Sequence, residues 1–287
     1  MGELVGSLWQ RATAGRPGAQ WWWHHQLKKP FFGRFMKPWR WPADVAPEGW
    51  QRHAITSASH ATLVAVLRET VARPVRGVVV CAHPMGLAAK GFWLRNGHAD
   101  ALLAAGFHVL AFDFNGFGES ASTNFDWPAD ALAVGRWARA RYPGLSVHAM
   151  AASFGAMHTL NALAVGDDFP YRRVIAEGVP PTLPLFWKAY PFAHAVLQLG
   201  RIVTPAVERR LRPEAAITKL PPGVRVLLVH SHGDRWTPVW HGDRLAAAAP
   251  AGAQLERLVL QRADHTHGMR DEREAYWPAV ERFLTSD

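Results

Sequence analysis

The stretch Ala151-Ala152-Ser153-Phe154-Gly155 stands between two different sequence patterns. The apolar run of residues 146–151 before it predicts a buried strand, and the periodicity of residues 154–164 after it predicts a helix. A serine on a tight turn from a strand into a helix needs small residues two positions before and after it, because the backbone approaches itself there. The alanine and the glycine of this stretch meet that requirement. The stretch therefore predicts a serine nucleophile at Ser153.

Strands and helices alternate on both sides of this turn. Continuous apolar strands between amphipathic helices are typical of an α/β fold, in which a mostly parallel sheet is covered on both faces. The first two strands are expected to form an antiparallel pair. The predicted strands are 52–56, 62–67, 77–82, 108–113, 146–151, 173–177, 224–230 and 255–260, and the predicted helices lie near 92–105, 128–141, 154–164, 240–249 and 272–283.

The composition is compatible with one large domain in the cytoplasm. With 287 residues, 49% of them hydrophobic, the chain can bury one sizeable core. The single cysteine, Cys81, cannot form an intramolecular disulfide and lies in an apolar run where a small thiol packs well. No stretch approaches about 18 uninterrupted apolar residues, and the start lacks the pattern of a secretory leader. We therefore expect a cytoplasmic protein.

The positive charge of the chain is concentrated near its start. Of the formal net charge of +9, residues 1–41 carry +6, from seven Lys and Arg residues against Glu3. Six Trp and three Phe residues are interleaved with these charges. Such a segment suits the headgroup layer of an anionic membrane, which would make the protein peripheral on the inner membrane face. Two alternatives stay open: packing across its own domain and, least favoured, binding of nucleic acid.

The chain is expected to consist of a basic aromatic N-terminal arm, residues 1–49, and one α/β domain, residues 50–287. Residues 42–47 mark the linker between them. Inside the domain, residues 179–222 fit neither a strand nor a standard crossover helix, and they are rich in Leu, Phe, Trp, Tyr and Pro. An irregular segment of this length favours a function. We expect a short helical cap, although ordinary packing over the sheet is compatible with the same composition.

The strand, turn and helix around Ser153 resemble those of the α/β-hydrolase family, and the resemblance extends from about residue 50 to the C-terminus. Ala151 stands where the family usually has a glycine, which is a mild departure because one methyl group can be accommodated. The resemblance implies the α/β-hydrolase fold, with a mostly parallel central sheet, helices on both faces and a short helical cap. It also implies an enzyme with a serine nucleophile.

A second motif, Cys81-Ala82-His83-Pro84-Met85-Gly86, follows an early parallel strand. The family has an oxyanion loop beginning His-Gly or His-Pro at this place. By this resemblance the backbone N–H groups of Met85 and Phe154 would hold the developing oxyanion, each contributing about 2.7–4 kcal/mol. Residues 112–120 resemble the family's turn after the following strand. Their role is expected to be structural, with Asp113 capping the turn rather than reacting.

The remaining members of the predicted catalytic triad come from two later motifs. The stretch His230-Ser231-His232-Gly233-Asp234-Arg235-Trp236-Thr237-Pro238 resembles the family's acid loop, with a proline four residues after the aspartate. Asp234 is therefore the predicted acid, and Glu177 is the alternative position. His265 follows the last strand and matches the family's base. His267 is the alternative position for the base. The order of serine, acid and histidine along the chain is that of α/β-hydrolases.

The resemblance implies a serine hydrolase that cleaves an ester or thioester of a hydrophobic acyl substrate through an acyl-enzyme, with no cofactor and no metal. Acyl transfer, amide hydrolysis and carbon–carbon bond hydrolysis use the same constellation and stay open. Two other function classes also stay open. One is a non-catalytic interaction protein on a hydrolase scaffold. The other is a metal-dependent hydrolase that uses four histidines, His230, His232, His265 and His267.

Overall fold

The computed structural model describes residues 19–189, 191, 194, 195, 197–199 and 212–286. The strands are β1 (Gln51–Thr56), β2 (Thr62–Arg68), β3 (Gly77–Ala82), β4 (Phe107–Phe112), β5 (Val147–Ala152), β6 (Arg173–Glu177), β7 (Arg225–Ser231) and β8 (Gln254–Leu260). The helices are α1 (Trp22–Phe32), α2 (Gly91–Arg95), α3 (His98–Ala104), α4 (Trp127–Arg141), α5 (Phe154–Asn161), α6 (Leu183–Phe186), α7 (Pro213–Ile217), α8 (Val239–Ala248), α9 (Gly268–Asp271) and α10 (Arg273–Thr285). Short 3-10 turns cover Ala19–Trp21, Ala162–Ala164 and Trp187–Ala189.

Residues 1–145 form a compact unit in which the strands follow the order β1, β2, β4, β3. The β1 and β2 strands are antiparallel, with Gln51 opposite Leu67, and β2 is also antiparallel to β4. The β3 and β4 strands are parallel, with Ala82 beside Phe112 at their ends. The predicted antiparallel pair of first strands is therefore confirmed.

Residues 146–287 form a second compact unit, in which β5, β6, β7 and β8 pair in sequence order and are all parallel. Ala152 lies beside Glu177, and Glu177 lies beside Val229. Ser231 lies beside Leu260 at the end of the next pair. Because the carboxyl ends of parallel strands share one edge, the residues that follow β5, β7 and β8 come close together.

Four strands, β3 to β6, are buried along their whole length. Strands of this kind occur in sheets that are covered on both faces. The α3 helix contacts β4, α4 contacts β1 and β3, and α5 contacts β5 and β6. The predicted mostly parallel arrangement with covering helices is confirmed, and every strand lies within one residue of its predicted bounds.

The predicted helix over residues 92–105 is wrong, because two short helices, α2 and α3, take its place. They are separated by a turn at Asn96 and Gly97, where Gly97 has a φ of 76°. Glycine adopts this left-handed conformation readily, so the helix ends there. Both helices bury apolar side chains, and this continuous apolar pattern is the reason that the sequence predicted one helix.

The described part of the predicted arm packs on the unit to which it belongs. Phe32 of α1 is buried with its ring 5.4 Å from that of Trp127. Lys28 is fully buried, and its ammonium group donates a hydrogen bond to Asn115 Oδ1 and lies 5.1 Å from the Trp127 ring. These contacts favour the alternative in which the arm packs on its own domain. Residues 1–18 of the arm lie outside the described residues.

The α1 helix also has an exposed side. Trp22, Trp23 and Leu27 are 47%, 71% and 60% exposed. In the part of the chain that the structure describes, no helix combines the length and the apolar character needed to cross a bilayer. The predicted contact of residues 1–41 with an anionic membrane surface stays a prediction, and these exposed side chains are the described groups that would make it.

The predicted cap, residues 179–222, is described only in part. It begins with α6, whose first turn is capped by Thr182, because the threonine Oγ1 accepts a hydrogen bond from the Leu185 N–H at 3.4 Å. A 3-10 turn follows α6 directly, and α7 lies near the end of the segment. Residues 190, 192, 193, 196 and 200–211 of the cap lie outside the described residues.

Candidate active site

Ser153 lies on the turn between β5 and α5. Its backbone has a φ of 47° and a ψ of −110°, a conformation that is strained for a residue with a side chain. Two hydrogen bonds of 2.8 Å fix this backbone: Ser153 N–H donates to the carbonyl of Glu177, and Met157 N–H donates to the carbonyl of Ser153. The turn therefore presents the serine hydroxyl at the carboxyl end of β5.

The three residues of the predicted triad meet at this edge. Ser153 Oγ lies 2.8 Å from His265 Nε2, and His265 Nδ1 lies 2.7 Å from Asp234 Oδ2. An ionised carboxylate only accepts hydrogen bonds, so Nδ1 carries the proton and donates it to Asp234. Nε2 is then left to accept the hydrogen bond from the Ser153 hydroxyl. In this arrangement an imidazole can remove the proton of the serine.

The loop after β7 holds Asp234 in its ionised form. Asp234 Oδ1 accepts hydrogen bonds from the N–H of Trp236 at 2.8 Å and of Thr237 at 3.0 Å. Burial by itself would raise the pKa of Asp234, but the hydrogen bonds from His265 and Thr237 lower that pKa to about 2. The carboxylate is therefore negative at neutral pH and can stabilise an imidazolium beside it.

Thr237 is a site residue that the sequence motif did not single out. Its side chain is buried, its hydroxyl donates to Asp234 Oδ2, and its Oγ1 lies 3.2 Å from His265 Nδ1. The one sequence signal is a threonine three residues after an aspartate, a spacing at which the aspartate side chain can accept a hydrogen bond from the backbone N–H. Thr237 thus positions Asp234, the predicted acid, and lies against His265, the predicted base.

The loop that carries His265 is fixed from two sides. Glu272 accepts hydrogen bonds from three backbone N–H groups, those of Gln261, Arg262 and Ala263, at 3.1, 2.5 and 2.7 Å. Although burial opposes the shift, these donors keep the pKa of Glu272 below its ordinary value. On the other side, a Cβ at Gly178 would lie 3.0 Å from His265 Cε1. The glycine therefore leaves room for the imidazole ring.

Glu177, the alternative acid, has other partners. Its carboxylate is buried and accepts hydrogen bonds from Gly268 N–H at 2.9 Å and from the Tyr276 hydroxyl at 3.0 Å. Burial raises the pKa of Glu177, and the two donors only partly oppose that rise. The carboxylate bonded to His265 is that of Asp234. Glu177 therefore anchors the start of α9 instead.

The four histidines of the metal-dependent alternative differ in their surroundings. The ring bonded to the serine is that of His265, and His267 is its neighbour in the loop. His230 Nε2 lies 3.0 Å from the carbonyl oxygen of Val179, and burial lowers the pKa of His230 to about 4. His232 is exposed. Among the described residues, no group of three or more His, Cys, Asp and Glu side chains is arranged to hold a metal ion, which does not favour the metal-dependent alternative.

The two predicted oxyanion donors lie in different segments of the chain. Phe154 is the first residue of α5, where backbone N–H groups point out of the start of the helix. Met85 lies half-buried in the loop after β3. In that loop the His83 Nε2 accepts a hydrogen bond from Phe114 N–H at 3.2 Å, which ties the loop to the end of β4. The oxyanion role of the Met85 and Phe154 amides stays a prediction.

Two aromatic rings, those of Phe186 and Trp236, form an aromatic wall beside His265, the predicted base. The ring of Phe186, at the end of α6, lies 6.0 Å from the ring of His265 and 6.0 Å from that of Trp236, with which it stacks. Both aromatic side chains are partly exposed, so they offer apolar surface to a ligand. The first helix of the predicted cap therefore reaches the base directly.

No family model and no curated protein matches the chain. Solved structures match it at low identity. The esterase Pf2001 of Pyrococcus furiosus is 19% identical with a TM-score of 0.67, over 86% of this chain and 95% of that one. The esterase EaEST of Exiguobacterium antarcticum is 15% identical with a TM-score of 0.58, over 82% and 100% of the two chains. The esterase domain of a Rhodothermus marinus protein is 18% identical with a TM-score of 0.56, over 82% and 99%.

These similarities cover most of each compared chain, so they concern the arrangement of the strands and helices as a whole. They confirm the fold class that the sequence resemblance implied. The likeness is one of fold, and the chemistry has to be argued from the residues of this chain.

Proposed function

We propose that this chain, which has the α/β-hydrolase fold, is a serine hydrolase that cleaves an ester or thioester of a hydrophobic acyl substrate. The position of His265 carries the proposal, because the ring lies 2.8 Å from Ser153 Oγ and 2.7 Å from Asp234 Oδ2. The esterases with the same fold support it by analogy, since they carry out ester hydrolysis on this scaffold.

The proposed reaction has two halves. Ser153 Oγ attacks the acyl carbonyl carbon while His265 Nε2 takes the hydroxyl proton, and the same nitrogen then gives that proton to the leaving alcohol or thiol. Water attacks the resulting acyl-enzyme in the same way and releases the acid. Asp234 holds the Nδ1 proton and stabilises the imidazolium in both halves. The predicted donors to the oxyanion are the backbone N–H groups of Met85 and Phe154.

The side chains beside the base support a hydrophobic acyl group. Phe186 and Trp236 form a continuous aromatic surface next to His265. Each methylene group buried on such a surface contributes about 0.8 kcal/mol to binding. An acyl chain of several carbons gains more from this wall than an acetyl group does.

The experiment that tests the proposal is the Ser153→Ala substitution. The variant should lose hydrolysis of 4-nitrophenyl butyrate and labelling by a fluorophosphonate probe, because the hydroxyl is the attacking group. Mass spectrometry of the labelled wild-type protein should locate the probe on Ser153. Turnover by the variant at the wild-type rate would refute the assignment. A wild-type protein that neither reacts with the probe nor turns over esters would instead support the non-catalytic alternative.

Two histidine variants serve as a matched pair in this experiment. His265→Ala should lower kcat by several orders of magnitude, because the serine loses its base. His267→Ala removes a ring of the same size from the same loop and should lower kcat much less. The reverse ranking would move the base to His267.

A further inference from the structure

A groove of about 330 Å³ lies in the first unit, between residues 37–42 of the arm and residues 87–95. Its charged lining is cationic and consists of Lys37, Arg40 and Arg95. All three are exposed, and within the described residues none of them forms an ion pair or a hydrogen bond. The described lining residues include no acidic side chain. The groove therefore offers three positive charges to a ligand.

The walls of the groove are apolar. The Trp41 indole N–H donates a hydrogen bond to the carbonyl oxygen of Val45 at 2.5 Å, and the ring meets that of Trp39 edge to face at 5.3 Å. Leu87 lines the groove from the other segment and is 58% exposed. An anion that carries an aromatic or aliphatic group can therefore bury that group here while its charge meets the cations.

Trp39 is held in place by a buried charge cluster. The Lys90 ammonium group lies 3.8 Å from the centroid of the Trp39 ring and donates hydrogen bonds to Asp113 at 2.5 Å and Glu119 at 2.8 Å. A Cβ at Gly91 would come within 2.5 Å of Trp39 Nε1, so the glycine lets the ring pack closely. The wall is thus formed before a ligand arrives, which lowers the entropy lost on binding.

The groove shares a loop with Met85. Leu87, which lines the groove, follows Met85 by two residues, and two residues of extended chain span at most about 7 Å. A ligand in the groove therefore lies beside the loop for which the sequence predicts an oxyanion donor.

We infer that the groove binds a phosphate monoester whose organic group is aromatic or aliphatic. Two guanidinium groups and one ammonium group match the double negative charge and the several acceptor oxygens of a phosphate monoester. The role of residues 37–42 is then to complete a ligand site with residues 87–95 of the same unit.

Binding is tested with phenyl phosphate as the probe, in the Ser153→Ala background so that no turnover intervenes. Isothermal titration should show binding that weakens at least about tenfold when Lys37, Arg40 and Arg95 are all changed to alanine, because the phosphate then loses three charged hydrogen-bond donors. The control changes Lys29, Arg34 and Arg76 to alanine, three exposed cations outside the groove lining. The control variant should keep the affinity for phenyl phosphate.

The outcomes separate this inference from the proposed function. If the fluorophosphonate probe labels Ser153 but phenyl phosphate does not bind, or binds equally to all variants, the groove inference is wrong and the proposed function stands. If Ser153 is not labelled, the proposed function fails, and the groove inference is decided by the phenyl phosphate titration alone. Binding that depends on the groove only with vesicles of phosphatidylglycerol would overturn the inference in favour of a lipid headgroup.

Discussion

At the scale of single residues, the proposed function requires Asp234 to keep the His265 ring in one tautomer. Asp234→Asn should lower kcat by about 10³–10⁴-fold, because the amide can donate to Nδ1 and so favours the wrong tautomer. The fold should persist, since the amide fills the same space. Steady-state kinetics on 4-nitrophenyl butyrate and a thermal melt of the variant measure the two effects.

Glu177→Gln is the control for this substitution. It makes the same chemical change in a buried carboxylate whose partners are Gly268 and Tyr276 rather than the base. It should therefore affect the melting temperature more than kcat. If Glu177→Gln removes activity and Asp234→Asn does not, the acid has been assigned to the wrong residue.

Single residues differ in how far the sequence could predict their surroundings. Ser153, Asp234 and His265 stand in motifs with a fixed place after a strand, so their positions could be inferred. Thr237 could not, because its contact with both acid and base depends on how the loop folds back. Lys28 could not either, since a lysine in a basic segment is normally solvated, and only the packing of α1 on Asn115 and Trp127 reveals its burial.

At the scale of elements, α6 should set the preference for acyl chain length. Phe186→Ala removes the ring that lies beside His265 and Trp236, and with it part of the apolar surface on which a long acyl chain would be buried. The ratio of kcat/KM for the decanoate and the butyrate ester should therefore fall about tenfold or more, since one methylene in an apolar pocket is worth roughly tenfold. A series of 4-nitrophenyl esters measures the profile.

Trp240→Ala is the matched control, because Trp240 is a half-exposed aromatic residue on α8. Its removal should leave the chain-length profile as it is. Equal shifts in both variants would mean that α6 has no special place in acyl binding.

Among the elements, strands were easier to predict than helices for a physical reason. The β3 and β6 strands are short apolar runs bounded by turns, and they begin and end at the predicted residues. The break between α2 and α3 escaped prediction because the apolar pattern continues across Asn96 and Gly97. The cap was expected from composition alone, and composition does not specify that Phe186 reaches the base.

At the scale of the whole molecule, Lys28 should make the stability of the protein depend on pH. Burial lowers the pKa of Lys28 from 10.5 to about 7 in the folded chain. Between these pH values the unfolded chain binds one proton more than the folded chain does. The free energy of unfolding therefore rises with pH, by at most about 1.4 kcal/mol per pH unit. Lys28→Met should remove this contribution. The free energy of unfolding of the wild type should therefore rise relative to that of the variant as the pH rises from 7 to 10.

Urea unfolding of both proteins at several pH values measures the difference. Lys29→Met is the control, because Lys29 is the exposed neighbour on the same helix. Its curve should run parallel to that of the wild type. Parallel curves for Lys28→Met as well would show that the buried lysine keeps an ordinary pKa.

The backbone of Ser153 has a consequence for attempts to engineer the protein for heat tolerance. A side chain at a φ of 47° costs on the order of 1–3 kcal/mol, and glycine at this position would avoid most of that strain. A directed-evolution campaign that selects for survival on heating alone would therefore enrich proteins with glycine at position 153, and the proposed function implies that these would be inactive. Heat tolerance favours glycine at this position and turnover favours serine. A useful selection therefore has to score both properties in the same round.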